Sequence, residues 1–121
     1  MSRSAAFAAT LALGAVSLLA APAMAQPDGK SLYDLQCGFC HNDDSLGPPL
    51  AGVAGRKMGS TSFDHSEALK AKGAAGATWT DAELDAFLKA PTEHTPGTKM
   101  MMAVPDDAAR KAIVEYLKTL K

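Results

Sequence analysis

The chain has 121 residues, with 13 acidic against 12 basic side chains and a formal net charge of −1. This balance argues against a nucleic-acid partner, which would require a surface of clustered lysine and arginine. The length suits one small domain with a marginal core, and because its two cysteines are only three positions apart, no disulfide can close a long loop.

The first 25 residues have the pattern of a secretory signal peptide. Arg3 gives a positive start, residues 5–21 are apolar, and residues 23–25 (AMA) form a small-x-small cleavage site. A retained membrane anchor is disfavoured, because the apolar run is short of the about 20 residues that a spanning helix needs. We expect cleavage after residue 25, export to the periplasm, and a mature domain at residues 26–121 without a membrane span.

The first predicted helix leads into a cysteine motif. Asp28 is an N-cap candidate for a helix that runs toward Cys37. The motif at residues 37–41 reads CGFCH, and Cys-x-x-Cys-His is the covalent attachment signature of c-type haem. Two thiols one helical turn apart can each add to a vinyl group of the haem, while His41 comes under the iron as an axial ligand.

A loop and a short helix are predicted after the motif. Residues 42–49 are polar and then proline-rich, so they indicate a loop, and glycines continue the irregular stretch to Gly59. Residues 62–72 are compatible with a short helix that Gly73 would end.

Two further helices are predicted with clearer boundaries. Residues 80–83 (TDAE) form a capping box, which predicts a helix that ends before Pro91. Pro105 is expected in the first turn of the last helix, with Asp106 and Asp107 at its positive end. Apolar residues recur along this helix at helical spacing: Ile113, Tyr116, Leu117 and Leu120. Because no strand alternation is visible, the sequence predicts an all-α fold.

A second axial ligand is offered between these two helices. Met100 ends the segment at residues 96–100 (PGTKM), where a turn would present its thioether. Met101 and Met102 lack this context, so we expect them to pack or to lie at the cofactor's edge.

In this order, the segments resemble class I cytochromes c, especially the mitochondrial-like branch, from about Asp28 to Lys121. The matching segments are residues 37–41, 47–48, 50–57, 72–73, 77–79, 91, 96–100 and 116–117. The resemblance implies a cytochrome c fold, with three to five helices and loops wrapped around one covalently bound haem, and an electron-transfer protein instead of an enzyme.

The resemblance also implies roles for individual residues. Cys37 and Cys40 would form the thioethers, and His41 and Met100 would be the axial ligands of the iron. The carbonyl of Pro48 would bond to the other nitrogen of His41 and so fix the ring.

Further residues are placed by the same resemblance. Arg56 and Trp79 would lie beside a haem propionate. Gly29 and Tyr33 on the first helix would cross the last helix, where the glycine permits close approach.

The chain departs from the mitochondrial pattern at several positions. Phe87 replaces a tyrosine that often donates a hydrogen bond near the methionine sulfur. His65 stands near the position where the family often has a propionate-binding tyrosine, and its imidazole could donate there instead. The alternative for His65, which we also expect for His94, is an exposed loop histidine. The edge of the haem would have few lysines, mainly Lys30, Lys57 and Lys99, so we expect weak electrostatic steering of partners.

The leading interpretation is a periplasmic one-electron carrier that exchanges electrons with a membrane complex, a terminal oxidase or a periplasmic dehydrogenase, as a monomer or in a hetero-complex. An alternative is a haem c subunit tightly docked to a periplasmic dehydrogenase. An alternative of another class is a thiol–disulfide oxidoreductase that uses Cys37 and Cys40. Such a dithiol is expected to follow a strand, and nothing strand-like precedes Cys37. A zinc site at residues 37–41 and an open-site haem sensor or peroxidase complete the alternatives.

Overall fold

The computed structural model describes residues 17, 19–22, 25, 27–43 and 45–121. The predicted signal peptide, residues 1–25, lies mostly outside the described residues, and so do two positions of its cleavage site. Among the residues that are described, no helix is long and apolar enough to cross a membrane.

The described residues form six helical segments. They are α1 (Gly29–Gln36), α2 (Gly38–His41), α3 (Glu67–Ala74), α4 (Asp81–Lys89), α5 (Pro91–His94) and α6 (Asp107–Leu117). Within the same residues, extended pairing is limited to one isolated antiparallel bridge between Lys57 and Thr78. The all-α prediction is confirmed, and the helices outnumber the expected three to five because α2 and α5 are single turns of four residues.

Helices α1 and α6 cross at a glycine, as predicted. The carboxylate of Asp28 caps α1 by accepting a hydrogen bond from a first-turn N–H at 3.0 Å. A Cβ at Gly29 would collide with the backbone carbonyl of Ala112, so only glycine permits this approach. Tyr33 packs against Tyr116 beside the crossing, with ring centroids 5.2 Å apart.

The third helix begins and ends later than predicted. The expected range was 62–72, whereas α3 begins after Ser66, whose hydroxyl oxygen accepts a hydrogen bond from a backbone N–H at 3.2 Å. Gly73 was expected to end the helix but lies inside it, because the absence of a side chain leaves room for the carbonyl of Met58. Gly76, with φ of 93°, provides the left-handed conformation after the helix.

The predicted cap of α4 is present, and that of α6 is shifted. Thr80 caps α4 by accepting a hydrogen bond from the N–H of Glu83 at 3.2 Å. Helix α6 begins after Asp106, whose carboxylate accepts a hydrogen bond from a first-turn N–H at 2.7 Å. Pro105 therefore precedes the cap and is not in the first turn. The carboxylate of Asp106 can accept a hydrogen bond from a free N–H group of the first turn, which a proline side chain cannot do.

The core is built mainly from α4 and α6. Its most completely buried large side chains are those of Met58, Ile113 and Val104, which are at most 2% exposed. The remaining core residues are Tyr33, Val53, Leu69, Trp79, Leu84, Phe87, Leu88, Ala109, Val114 and Leu117. Several of these side chains also line a cleft, so the core is open on one side.

Candidate functional site

One apolar cleft collects most of the residues that the sequence singled out. Its volume is about 870 Å³, part of it open to solvent. Six of the seven predicted site residues line it: Cys37, His41, Pro48, Arg56, Trp79 and Met100. Cys40, the seventh, is exposed. Leucine, valine, isoleucine and phenylalanine side chains form much of the remaining wall.

The imidazole of His41 is fixed at one wall of this cleft. Its Nδ1 lies 2.8 Å from the carbonyl oxygen of Pro48. Because a carbonyl can only accept, Nδ1 carries the proton and Nε2 keeps a free lone pair. Gly47 is buried against the ring, where an added Cβ would lie 2.9 Å from ring atoms of His41. The ring is therefore held in one tautomer with Nε2 available to a metal.

The two cysteines are unpaired and differ in environment. Cys37 ends α1 and is partly buried, whereas Cys40 lies in α2 and is exposed. Burial, followed by the nearby thiol of Cys40, raises the pKa of Cys37 to about 11. A thiol–disulfide oxidoreductase requires the opposite shift, toward a stable thiolate, so the structure disfavours that alternative.

The zinc alternative also lacks support in the part of the chain that the structure describes. No group of three or more His, Cys, Asp or Glu side chains there could hold a metal ion. A metal at this cleft would therefore need other donors, such as a porphyrin and a thioether.

Met100 reaches the cleft through a tight turn. The N–H of Thr98 donates to the carbonyl of Thr95 at 3.0 Å, and the hydroxyl of Thr98 accepts from the N–H of Met100 at 3.3 Å. Met101 and Met102 are 76% and 52% exposed. Of these three methionines, only Met100 lines the cleft.

Arg56 brings a positive charge to the cleft. Its guanidinium donates to the carbonyls of Ala51 at 3.1 Å and Pro49 at 3.0 Å. Burial lowers the pKa of Arg56, and within the described residues no carboxylate forms a salt bridge with it. A partly buried cation without a carboxylate partner favours an anionic group on a ligand in the cleft.

These residues fit a covalently attached haem. The cleft offers apolar walls for a macrocycle, the free thiol of Cys37, an imidazole with a free nitrogen, a thioether and a cation for a propionate. The second free thiol, that of Cys40, is exposed three positions further along the chain. The combination of imidazole and thioether suits iron in a porphyrin.

Trp79 belongs to an aromatic cluster that includes His94. The indole of Trp79 contacts the ring of Phe87 edge-on, with centroids 5.0 Å apart, and stacks against the imidazole of His94 at 6.3 Å. The prediction that His94 is an exposed loop histidine is wrong, since its side chain is only 11% exposed and its Nε2 lies 2.5 Å from Glu83 Oε2. No sequence signal points to this contact, because a capping box predicts that Glu83 turns back to Thr80.

The prediction of an exposed loop position is also wrong for His65. This histidine is buried, lines the cleft, and its Nε2 lies 2.7 Å from the hydroxyl of Thr61. Burial and then the positive charges of Arg56, Lys70 and Lys99 lower the pKa of His65. A propionate contact of His65 stays a prediction.

Comparisons with known proteins agree with this geometry. The family model described as cytochrome c matches residues 27–121. A cytochrome c of Tetrahymena pyriformis is 41% identical over 96 residues, which cover 76% of this chain and 85% of that protein. A cytochrome c2 of Afifella marina is 39% identical over 100 residues, covering 75% and 78%. The solved ferricytochrome c2 of Rhodopseudomonas palustris superposes with a TM-score of 0.69 at 32% identity, covering 77% of this chain and 96% of that one.

Proposed function

Since the chain belongs to the cytochrome c family, whose members bind one covalent haem c and transfer electrons without acting as enzymes, we propose that it is a periplasmic one-electron carrier with His41 and Met100 as axial ligands. The observation that carries this proposal is the single cleft lined by both side chains, with His41 Nε2 left free by the bond from Nδ1 to Pro48. Cys37 and Cys40 would hold the macrocycle through thioethers.

The two axial donors favour electron transfer over ligand binding. When bound, a haem supplies a one-electron ferric/ferrous couple. The thioether of Met100 is soft and neutral, so it favours the ferrous state and raises the potential relative to two imidazoles. If His41 and Met100 both hold the iron, no position would stay open for oxygen or peroxide, which disfavours the sensor and peroxidase alternatives.

The proposed location rests on the signal-peptide pattern of residues 1–25. The proposed partners are redox proteins at or in the periplasm: a membrane complex, a terminal oxidase or a dehydrogenase. The alternative, a haem c subunit tightly docked to a dehydrogenase, uses the same site and differs only in the permanence of the contact.

Export and intact mass test the proposal together. The full chain would be expressed in a bacterium that matures c-type haems, followed by fractionation and mass measurement. We expect a periplasmic protein with the mass of residues 26–121 plus one haem. A cytoplasmic or uncleaved product would contradict the proposed location, and a haem-free mass would contradict the proposed site. Elution of the native protein as a monomer would favour the carrier over the docked subunit.

A further inference from the structure

The segment that carries Met100, residues 95–105 (the Met100 segment), is fastened to α4 at both ends. At its C-terminal end, the N–H of Val104 donates to the carbonyl of Leu88 at 2.7 Å. The guanidinium of Arg110 adds a second link there, because it donates both to the carboxylate of Asp85 at 2.7 Å and to the carbonyl of Val104 at 3.0 Å. This end is held by a charge that arginine keeps at any pH.

The N-terminal end is linked to α4 through His94. Nε2 of its imidazole lies 2.5 Å from Oε2 of Glu83 on α4, and Nδ1 lies 2.8 Å from the hydroxyl of Thr95. The ring is wedged between Trp79, on which it stacks, and the edge of Phe87, with centroids 5.6 Å apart. Both ring nitrogens are thus satisfied inside an aromatic cluster that borders the cleft.

Hydrogen bonds continue from this link to Met100. Thr95 is fully buried, and its carbonyl accepts from the N–H of Thr98, whose hydroxyl in turn accepts from the N–H of Met100. The carboxylate of Glu83, the imidazole and the turn therefore form one connected path. A displacement of His94 would loosen the start of the Met100 segment.

Both contacts of His94 suit the donors and acceptors of an imidazole. Neutral His94 donates from Nε2 to Glu83 and accepts at Nδ1 from the hydroxyl of Thr95, whereas the charged ring donates from both nitrogens. Glu83 is also free for this contact, because the backbone N–H of Thr80, its usual target in a capping box, donates instead to the carbonyl of Thr78 at 2.9 Å.

We propose that His94, anchored by Glu83 and bonded to Thr95, is a positioning residue that holds Met100 in the cleft. The inference rests on the proposed role of Met100 as an axial ligand. A phenylalanine at position 94 would keep the packing on Trp79 and Phe87, so the hydrogen bonds carry the proposed role.

Imidazole competition in the oxidised haem protein tests this proposal. Added imidazole displaces a loosely held thioether, and loss of the sulfur-to-iron charge-transfer band reports the displacement. We expect His94→Phe and Glu83→Ala each to raise the apparent affinity for imidazole about tenfold, which corresponds to ~1.4 kcal/mol. The double variant should show little more than either single one, because both remove the same link.

Two controls separate positioning from general destabilisation. Glu83→Gln keeps an acceptor for Nε2 and should recover most of the wild-type resistance to imidazole. Glu115 on α6 forms an exposed pair with Lys118, which follows the helix. Glu115→Gln removes the charge from this pair and should leave the affinity for imidazole unchanged. Denaturant unfolding of each variant gives its global stability in parallel. If His94→Phe fails to fold, Glu83→Ala still tests the link through its affinity for imidazole.

The outcomes distinguish this inference from the proposed function. Suppose that the wild type has the charge-transfer band, and that the imidazole affinities of His94→Phe and Glu83→Ala stay within about twofold of the wild-type affinity. The inference is then overturned, while the ligand assignment stands. Fully additive effects in the double variant would overturn it as well. Absence of the band from the wild type would overturn the ligand assignment and the inference together.

Discussion

His41 and Pro48 are joined by a side-chain to backbone contact of 2.8 Å that spans the loop after the cysteine motif. Gly47, which precedes Pro48 in the chain, packs on the imidazole so closely that a methyl group would meet the ring. In the folded protein, the loop therefore fixes the tautomer and the orientation of the ring. In metalloproteins, such partners of a histidine ligand tune both affinity and ligand strength.

Gly47→Ala tests how tightly the loop holds the ring. The added Cβ would lie 2.9 Å from two ring atoms of His41, so the ring or the loop must move. We expect the haem protein to lose about 1–3 kcal/mol of its free energy of unfolding, measured in guanidinium chloride. Ser45→Ala, at an exposed position in the same loop, is the control and should change it by less than about 0.5 kcal/mol. Equal effects of the two would contradict the proposed close packing.

Gly29→Ala tests the crossing of α1 and α6. A methyl group there would overlap the carbonyl of Ala112, and backbone has little room to yield. The expected cost is about 2–3 kcal/mol in thermal or denaturant unfolding. Lys30→Ala, which removes only the exposed pair with Asp34, should cost less than about 1 kcal/mol. A Gly29→Ala protein as stable as the wild type would show that the helices do not cross here.

The haem-free chain should be largely unfolded. Without a cofactor, the cleft of about 870 Å³ would leave apolar side chains of α4 and α6 facing water. Burial of a macrocycle is worth on the order of 10 kcal/mol as an upper value, which is comparable to the whole stability of a small domain. Cys37→Ala/Cys40→Ala protein purified without haem should show little helical circular dichroism. A cooperative melt of well-ordered apoprotein would contradict this expectation.

The burial of His65 predicts a loss of stability on the acid side. Its pKa is lowered in the folded protein, mainly by burial, so the unfolded chain binds a proton at His65 more readily. Stability should therefore fall as the pH drops below about 6.5, the ordinary value for histidine. The lowered aspartate pKa values, such as that of Asp64, act only below about 3.8. Between these two pH values, the free energy of unfolding of His65→Gln should depend less steeply on pH than that of the wild type. An identical slope would exclude His65 as the source of the pH dependence.

Partner association should depend weakly on salt. Two of the three lysines expected at the cofactor's edge are paired, Lys99 with Asp64 at 2.7 Å and Lys30 with Asp34 at 2.6 Å. Their fields are partly cancelled, which leaves little long-range attraction for an acidic partner. The association rate with a strongly acidic redox partner should change by less than about tenfold between low and physiological salt. A steeper fall would show that an electropositive docking face exists.

Local signals in the sequence predicted much of the fold. The caps at Asp28 and Thr80 were read correctly because a cap depends on residues three positions apart. The start of α3 differs from the prediction because Ser62 and Ser66 are both good cap residues, and the structure uses Ser66. The resemblance and the cysteine motif together indicated six of the residues that line the cleft.

The links between distant segments were not readable in the same way. The contact of Glu83 with His94 joins residues from different helices, and either residue alone has a common local explanation. Arg110, buried among carbonyls and carboxylates, likewise lies in what the pattern indicates as a simple helix face. Such partners are chosen by tertiary packing, which single-sequence periodicity does not encode.

The visible spectrum of oxidised Met100→Ala protein tests the central claim most directly, with Met101→Ala as its matched control. Met100 lines the cleft and Met101 is 76% exposed, so the two variants remove the same kind of side chain from neighbouring positions, one in the cleft and one in solvent. The account predicts that the sulfur-to-iron charge-transfer band of the wild type is lost in Met100→Ala and kept in Met101→Ala. A band that survives in Met100→Ala would contradict ligation of the iron by Met100.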